Sequence, residues 1–245
     1  MEQLPRTMVT GTAPPLGFAV PAELDAERHQ SHLRAYWIIK RVMDVAIALT
    51  VLTILSPLFL LIALLIKLYD AGPALFVQER VGYDPRTGTL RLFRLYKFRS
   101  MLQNVDTGVH RQYMGDLIRN NVAAPAGGCL KMTSDRRITG IGCVLRKSSI
   151  DELPQLINVL KGDMSLVGPR PALLYEVELY QEWHKRRLTA LPGMTGLWQV
   201  AGRNLVSFDE GVQMDIFYVE HQCFLLDLRI LLLTPLAVIK GRGAG

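Results

Sequence analysis

The residues best suited to chemistry are two adjacent carboxylates, Asp151 and Glu152, which follow the cations Arg146 and Lys147. After them, apolar residues recur at helical spacing up to Gly162, which predicts a short helix with both carboxylates at its start. The positive end of such a helix and the nearby cations favour ionised carboxylates at neutral pH. An ionised aspartate is suited to attack phosphorus or to hold a divalent metal, whereas simple capping of the helix is the structural alternative.

The start of this helix is open between two registers. In the first, Ser149 and Glu152 form a capping box, which places Pro154 where its missing amide costs a hydrogen bond. In the second, Asp151 is the N-cap, and Pro154 then lies in the first turn, where no amide donor is needed. Both registers leave the two carboxylates at the N-terminus of the helix.

A second candidate is the arginine in the sequence Gly168-Pro169-Arg170-Pro171. The prolines restrict φ on both sides of Arg170, so its backbone is rigid and its guanidinium suits bidentate recognition of a phosphate. A proline-rich turn without a ligand is the alternative. The later glycine-punctuated segment 192–203 leaves a similar choice between close approach to a nucleotide and ordinary turns.

The element that precedes these motifs is predicted to be a β-hairpin of residues 75–81 and 90–98, because both runs are β-branched or aromatic and turn residues separate them. The second run alternates cations with aromatic rings, a pattern that could bind single-stranded nucleic acid. It lacks the glycines of an RNA-recognition motif and follows an apolar segment. Lipid head groups or a phosphorylated substrate are therefore favoured as its ligand, and nucleic acid is not expected as a partner.

An uncharged run of 22 residues, 45–66, forms about 33 Å of helix, enough for a hydrocarbon core of about 30 Å. Ser56 and Pro57 lie in its middle, where the missing amide of proline predicts a kink. Basic residues flank both ends, so the charge asymmetry that orients a spanning helix is absent. These observations favour a re-entrant helix that bends at Ser56-Pro57 and returns to the same face, over a helix that crosses the bilayer.

Composition and charge divide the chain into three parts. The 245 residues are 49% hydrophobic, which excludes a disordered chain, and 28 lysines and arginines oppose 22 acidic residues. Residues 1–70 hold equal numbers of both signs, so the whole excess lies after residue 70, where it suits a phosphate-bearing partner. We predict a flexible tail 1–33 without a cleaved signal, a membrane helix 34–70 and a cytoplasmic domain 71–245.

A second apolar stretch, Phe224–Ile239, is interrupted by Asp227, Arg229 and Pro235 and is too short to span a bilayer. Two structures remain open for it, a core helix and an amphipathic helix on the membrane surface. Its apolar face could correspondingly serve a homodimer or the bilayer.

Six motifs occur in a characteristic order from about Tyr36 to Lys240: KRVMDVAIAL, FVQERVG, LYKFRSM, SSIDELPQLINVLKGDMSLVGPRP, PGMTGLWQVAGR and FLLDLRI. In this order the chain resembles the bacterial sugar transferases, the monotopic polyprenyl-phosphate phosphoglycosyl transferases. The resemblance implies an α+β fold with a kinked re-entrant N-terminal helix, a small hairpin sheet and several amphipathic helices in a membrane-associated catalytic domain. It also implies a location on the cytoplasmic face of the bacterial inner membrane.

The same resemblance implies a reaction, the transfer of sugar 1-phosphate from a UDP-sugar to undecaprenyl phosphate with release of UMP, which begins exopolysaccharide, O-antigen or other glycan assembly. It implies that Asp151 is the nucleophile that takes the phosphosugar covalently and that Glu152 binds Mg²⁺, which sets the capping alternative aside. The further positions that match substrate- or phosphate-binding residues of the family are Lys97, Arg146, Arg170, Gln199, Arg203 and Asp215. A covalent intermediate predicts ping-pong kinetics, because UMP can leave before the lipid phosphate attacks.

Two other functions remain as alternatives. A non-catalytic, membrane-anchored module that binds anionic lipid or nucleic acid would depend on Arg91 and Arg94 more than on Asp151 or Glu152. A UDP-sugar pyrophosphatase-like hydrolase would use water in place of the lipid acceptor, so UMP would be released while no label entered the lipid phase.

Overall fold

The computed structural model describes residues 26–102, 108–121, 137–201 and 206–239. The first elements in chain order are α1 (Ala26–Tyr69), β1 (Leu75–Asp84), β2 (Thr89–Phe98), α2 (Gly108–Asn120), α3 (Gly140–Lys147), a 3₁₀ turn (Ile150–Glu152) and α4 (Gln155–Lys161). The later elements are β3 (Ser165–Val167), α5 (Leu174–Val177), a 3₁₀ helix (Glu182–Leu188), β4 (Gly193–Thr195), α6 (Leu197–Ala201), α7 (Phe208–Glu220) and α8 (Phe224–Ile239). The fold is α+β, as predicted, with two small separate sheets among the described residues.

Strands β1 and β2 form the predicted hairpin, although β1 continues three residues further than expected, to Asp84. The strands are antiparallel, and their register runs from Leu75 opposite Phe98 to Asp84 opposite Thr89. One face of β2 contributes Leu95, which is 1% exposed, to the main hydrophobic core. The alternation of inward and outward residues in β2 is what holds the hairpin against α4.

The second sheet, which we did not predict, pairs the short strands β3 and β4 in parallel, with Ser165 opposite Gly193. The loops next to these strands pack backbone against backbone. A Cβ at Gly168 would overlap the carbonyl oxygen of Leu191, and a Cβ at Gly193 would overlap the amide of Gly168. Gly193, one of the glycines of segment 192–203, therefore allows two loops of the protein to pack closely against each other.

Helix α1 continues through Pro57, and Ser56 compensates for the amide that proline lacks. The carbonyl of Thr53 is the acceptor that an amide at position 57 would use, and it receives the Ser56 hydroxyl at 2.8 Å instead. Residues 35–69 of this helix are long and apolar enough to cross a membrane. Because 11% of its apolar window is buried, most of this surface is uncovered by protein.

Both halves of α1 contact the same folded domain. Before Pro57, Ala48 is fully buried in the main core. After Pro57, Ile62 and Ile66 are buried in a second cluster together with Phe98 of the hairpin. A helix that crossed a bilayer would carry its second half away from a domain on one side. These contacts are consistent with a monotopic membrane protein.

Three charged side chains of α1, directly before its uncharged run 45–66, fix the helix to the domain. Lys40 Nζ forms a buried ion pair with Asp227 Oδ2 of α8 at 2.7 Å. Arg41 donates to two carbonyl oxygens at the end of α4, at 2.5 and 2.8 Å. Asp44 accepts the amide of Leu166 in β3 at 3.1 Å. The entry of the apolar helix is therefore tied directly to α4 and β3, the elements that follow the carboxylate pair.

Helix α8 combines the two structures that the sequence left open for residues 224–239. Its inner face lies in the core, where Asp227 and Ile230 are fully buried. Its outer face is apolar and uncovered, with Leu225 and Leu232 exposed by 72% and 67%. The helix is thus a core helix that also presents an apolar surface beside α1.

Candidate active site

Asp151 and Glu152 lie in the 3₁₀ turn between α3 and α4, so both predicted helix registers are wrong. The N-cap position of α4 is Pro154, and neither Ser149 nor Asp151 caps this helix. Ser149 has a φ of 57°, in the left-handed region that costs a non-glycine residue about 1–2 kcal/mol. The backbone is therefore constrained two residues before Asp151, whose side chain is 4% exposed.

Because Asp151 lies outside α4, the dipole of that helix contributes less to its ionisation than the sequence predicts. Helix α4 has seven residues and begins three positions after Glu152. A dipole effect is confined to the first turn of a helix and grows with its aligned peptides, so α4 acts only weakly on Asp151. The cations around the carboxylates are therefore the main source of positive potential at this turn.

Lys97 reaches the carboxylate pair from β2. Its Nζ lies 3.1 Å from Glu152 Oε1, and the two side chains are 20% and 25% exposed. A partly exposed pair of this kind contributes about 0–1 kcal/mol to stability.

Arg146 approaches the turn from the last turn of α3, and it is 8% exposed. The start of α3 is well defined, because the Thr139 hydroxyl accepts the amide of Gly142 at 2.9 Å. The Nε of Arg146 is buried and has no hydrogen-bond partner in the part of the chain that the structure describes. An unsatisfied buried donor costs about 1–3 kcal/mol, a cost that an anionic ligand would offset.

The backbone around Arg170 is held by elements on two sides. The Gly193 amide donates to the Pro169 carbonyl at 2.8 Å, and the Val81 amide donates to the Ala172 carbonyl at 2.9 Å. Proline has no amide to donate, so Pro169 contributes to these contacts through its carbonyl. The loop is thus rigid through tertiary contacts as well as through its prolines.

Asp215, which the resemblance marks as a substrate-binding position, lies in a buried layer behind this loop and is 2% exposed. Its carboxylate accepts the Arg170 amide and forms an ion pair with Arg187. Burial raises the pKa of Asp215, and these two partners oppose that shift. Arg187 in turn donates to the Tyr180 hydroxyl at 3.2 Å, and burial raises the pKa of Tyr180 to about 12. Arg187 was not predicted as a site residue, because nothing in the sequence distinguishes it from a surface arginine.

Arg80 of β1 is another cation that sequence reasoning missed. It is 5% exposed, and its Nη1 donates to the Pro171 carbonyl at 3.0 Å. Burial lowers the pKa of Arg80 to about 10; Glu176 and, more weakly, Glu152 raise it, whereas Arg170 lowers it. The guanidinium of Arg80 is therefore bound directly to the proline loop, and its pKa responds to the charges of both Arg170 and Glu152.

Gln199 lies on α6 in the same group of loops. Its Nε2 donates to the Met194 carbonyl at 3.1 Å, and its Oε1 is buried without a hydrogen-bond partner among the described residues. Gly196, three residues earlier, packs so closely on the Gly168 carbonyl that a Cβ would overlap it. Arg203, the remaining predicted site residue, lies outside the described residues.

The site as a whole is suited to reactions of anions. Asp151 is a buried carboxylate, and the candidate cations are Lys97 of β2, Arg146 of α3 and Arg170 of the loop between β3 and α5. A carboxylate can attack a phosphoryl group only where cations or a metal neutralise the charge of that group. Within residues 26–102, 108–121, 137–201 and 206–239, no cluster of three or more His, Cys, Asp or Glu could hold a metal by itself. A divalent ion here would need ligands from phosphate or water.

Comparison with known proteins gives a family model and several relatives. The model described as bacterial sugar transferase matches residues 35–241. The chain is 42% identical over 207 residues to exopolysaccharide production protein ExoY of Sinorhizobium fredii, which covers 84% of this chain and 87% of that protein. It is 45% identical over 215 residues to galactosyl transferase CpsE of Streptococcus agalactiae serotype III, and 41% identical over 233 residues to undecaprenyl-phosphate galactose phosphotransferase of Salmonella typhimurium. These matches cover 87% and 94% of this chain but 44% and 47% of the two relatives, so the chain spans about half of their length.

Proposed function

The chain belongs to the bacterial sugar transferase family, and from this premise we propose that it transfers sugar 1-phosphate from a UDP-sugar to undecaprenyl phosphate and releases UMP. The name of the Salmonella relative supports this lipid acceptor, and the name of the Sinorhizobium relative supports a role in exopolysaccharide production. The observation in this chain that carries the proposal is the buried Asp151 beside Glu152, with Lys97 ion-paired to the latter.

The proposed chemistry has two displacement steps at one phosphorus atom. A carboxylate oxygen of Asp151 attacks the β-phosphorus of the UDP-sugar, the bond from that phosphorus to the bridging oxygen breaks, and UMP leaves with the electron pair. An oxygen of undecaprenyl phosphate then attacks the same phosphorus, which breaks the acyl phosphate bond and restores the Asp151 carboxylate. Arg146 and Arg170 would bind phosphate oxygens in both steps.

We propose Mg²⁺ as the cofactor, held by Glu152. The donor set fits this ion, because Mg²⁺ commonly takes one or two protein carboxylates and completes its octahedron with phosphate oxygens and water. When bound, Mg²⁺ would neutralise part of the charge on the diphosphate. Lys97, released from its 3.1 Å ion pair with Glu152, would then be available to the sugar nucleotide.

We place the enzyme on the cytoplasmic face of the bacterial inner membrane, with α1 as a re-entrant helix that bends at Ser56-Pro57. Contacts of both halves of α1 with one domain support the re-entrant path of this helix. Ile54 and Leu60, on either side of the bend, are 69% and 74% exposed and would lie in lipid. The apolar face of α8 lies beside α1, which favours the bilayer over a homodimer as its partner.

The proposal is tested with purified protein in nanodiscs that contain undecaprenyl phosphate and Mg²⁺. A panel of UDP-sugars with labelled sugar separates two readouts, UMP release and label in the lipid phase. We expect both with at least one sugar, and parallel initial-rate lines. Release of UMP without lipid label would favour the hydrolase, and intersecting lines would exclude the covalent intermediate.

Substitution of the nucleophile gives an independent test. We expect Asp151→Asn to lower kcat by about 10³-fold or more, because an amide cannot form the acyl phosphate. Asp116→Asn is the matched control, because Asp116 is an exposed carboxylate on α2 and should keep full activity. Substantial turnover by Asp151→Asn would contradict the proposal, and a larger loss on charge reversal at Arg91 and Arg94 would favour the non-catalytic module.

A further inference from the structure

One buried cation, Arg80, has no role in the reaction described above, although it lies directly behind the loop of Arg170. Both terminal nitrogens are used: Nη1 donates to the Pro171 carbonyl at 3.0 Å, and Nη2 donates to Gln78 Oε1 at 2.7 Å. Its Nε is buried and has no hydrogen-bond partner within the described ranges. Burial of a guanidinium is costly, so its presence here calls for a role that a neutral side chain could not fill.

The hydrogen bond from Arg80 extends a row of contacts along the loop. The next residue of β1, Val81, donates its amide to the Ala172 carbonyl at 2.9 Å. Two successive residues of β1 therefore hold two successive carbonyls immediately after Arg170. Loss of the Arg80 side chain would leave the Pro171 carbonyl without this donor and would remove the contact that holds the peptide directly after Arg170.

Arg80 also sets the charge behind the loop. Glu176 is 3% exposed; its Oε2 accepts the amide of Leu173 at 3.0 Å, and its Oε1 is buried without a hydrogen-bond partner in the described part of the chain. Glu176 and Arg170 act on the Arg80 guanidinium with opposite sign. Arg80 and Glu176 thus bind backbone groups two residues apart, the Pro171 carbonyl and the Leu173 amide, so side chains of opposite charge hold the segment that follows Arg170.

We propose that Arg80 is a positioning residue for the transfer reaction: it fixes the peptide after Arg170 and keeps the Arg170 guanidinium available to the phosphates of the sugar nucleotide. This inference rests on the proposed function. Arg80 itself touches no substrate, so its contribution to activity must pass through Arg170. A residue that only stabilised the fold would not show that dependence.

A double-mutant cycle tests this dependence. Arg80→Met should lower kcat/KM for the UDP-sugar about 10- to 100-fold, the range expected for a lost charged hydrogen bond and a misplaced guanidinium. In an Arg170→Ala background the same change should alter kcat/KM by less than about 3-fold. UMP binding, measured by titration calorimetry, should follow the same pattern. Arg86→Met, an exposed arginine at the turn of the same hairpin, is the matched control and should change neither readout.

The outcomes separate this inference from the function on which it rests. The positioning role is overturned if the losses of kcat/KM from Arg80→Met and Arg170→Ala multiply in the double variant. It is also overturned if kcat/KM of Arg80→Met stays within about 3-fold of wild type. If Arg80→Met does not fold, Arg80→Lys replaces it in the same cycle, since lysine keeps the charge but loses the planar pair of donors. A wild-type protein that binds UMP but transfers nothing to lipid would contradict the proposed function, while the binding cycle would still decide the role of Arg80.

Discussion

Replacement of Lys40 by methionine removes the cation that ties α1 to α8. The side chains of Lys40 and Asp227 are 4% and 0% exposed, and their ion pair measures 2.7 Å. Removal of one partner from a buried pair costs about 3–5 kcal/mol, because the other charge stays buried. Two tyrosine hydroxyls, of Tyr36 and Tyr218, still donate to Asp227 at 2.9 and 2.6 Å. We therefore expect the lower end of the range, about 3 kcal/mol.

The assay is thermal unfolding in detergent micelles. For a chain of this size, 1 kcal/mol shifts Tm by about 2–4 °C, so Lys40→Met should lower Tm by about 6–12 °C. The control is Lys185→Met, which breaks an exposed pair with Glu182 whose side chains are 44% and 90% exposed. That loss should stay below about 1 kcal/mol, or about 4 °C.

A second substitution distinguishes the buried charge from lost packing. Asp227→Asn in the Lys40→Met protein removes the uncompensated charge while its amide oxygen still accepts a hydroxyl, so part of the lost Tm should return. Equal Tm shifts for Lys40→Met and Lys185→Met would refute the reasoning. A double variant less stable than Lys40→Met would also refute it, since it would show that the carboxylate is stabilised without the lysine.

Two further predictions concern a histidine and the hydroxyl beside Pro57. Burial lowers the pKa of His184 below 6.5, and its Nδ1 accepts the Gln181 amide at 3.1 Å, so protonation favours the unfolded chain. The free energy of unfolding should therefore fall as pH drops below about 6.5, by up to about 1.4 kcal/mol per pH unit. His184→Gln should reduce this dependence on pH, as measured by Tm between about pH 7 and pH 5. Ser56→Ala removes the hydroxyl that satisfies the Thr53 carbonyl beside Pro57, and should cost about 1 kcal/mol in lipid. Ser56→Thr should keep the wild-type Tm, and equal effects of both substitutions would contradict this role of the hydroxyl.

Local patterns predicted the elements whose structure depends on consecutive residues. The hairpin followed from strand propensity and turn residues, and the long apolar helix followed from hydropathy. The same reasoning failed at the start of α4, where Pro154 is the N-cap residue and a 3₁₀ turn carries the carboxylates. Two capping signals competed there, and the structure uses neither; Ser149 instead adopts a positive φ, which its residue type does not predict.

The parallel pair of β3 and β4 could not be predicted, because each strand has three residues and its partner lies far along the chain. The sequence also did not show which charged residues are buried. Arg80 lies in a strand next to exposed Glu79, and Arg187 follows exposed Arg186. Charged neighbours in sequence differ in burial, since burial depends on what the tertiary fold places beside each of them.

The sequence by itself determined the family resemblance, the apolar helix with its Ser56-Pro57 interruption, and the candidate site residues Asp151, Glu152 and Arg170. Only the tertiary structure decided which cations support them. Lys40 pairs with Asp227 across 187 positions, and Arg80 reaches the Arg170 loop across 91 positions. Reactive residue types and periodicity are local properties of a chain, whereas the buried charges that hold a site in place exist only once distant segments have packed together.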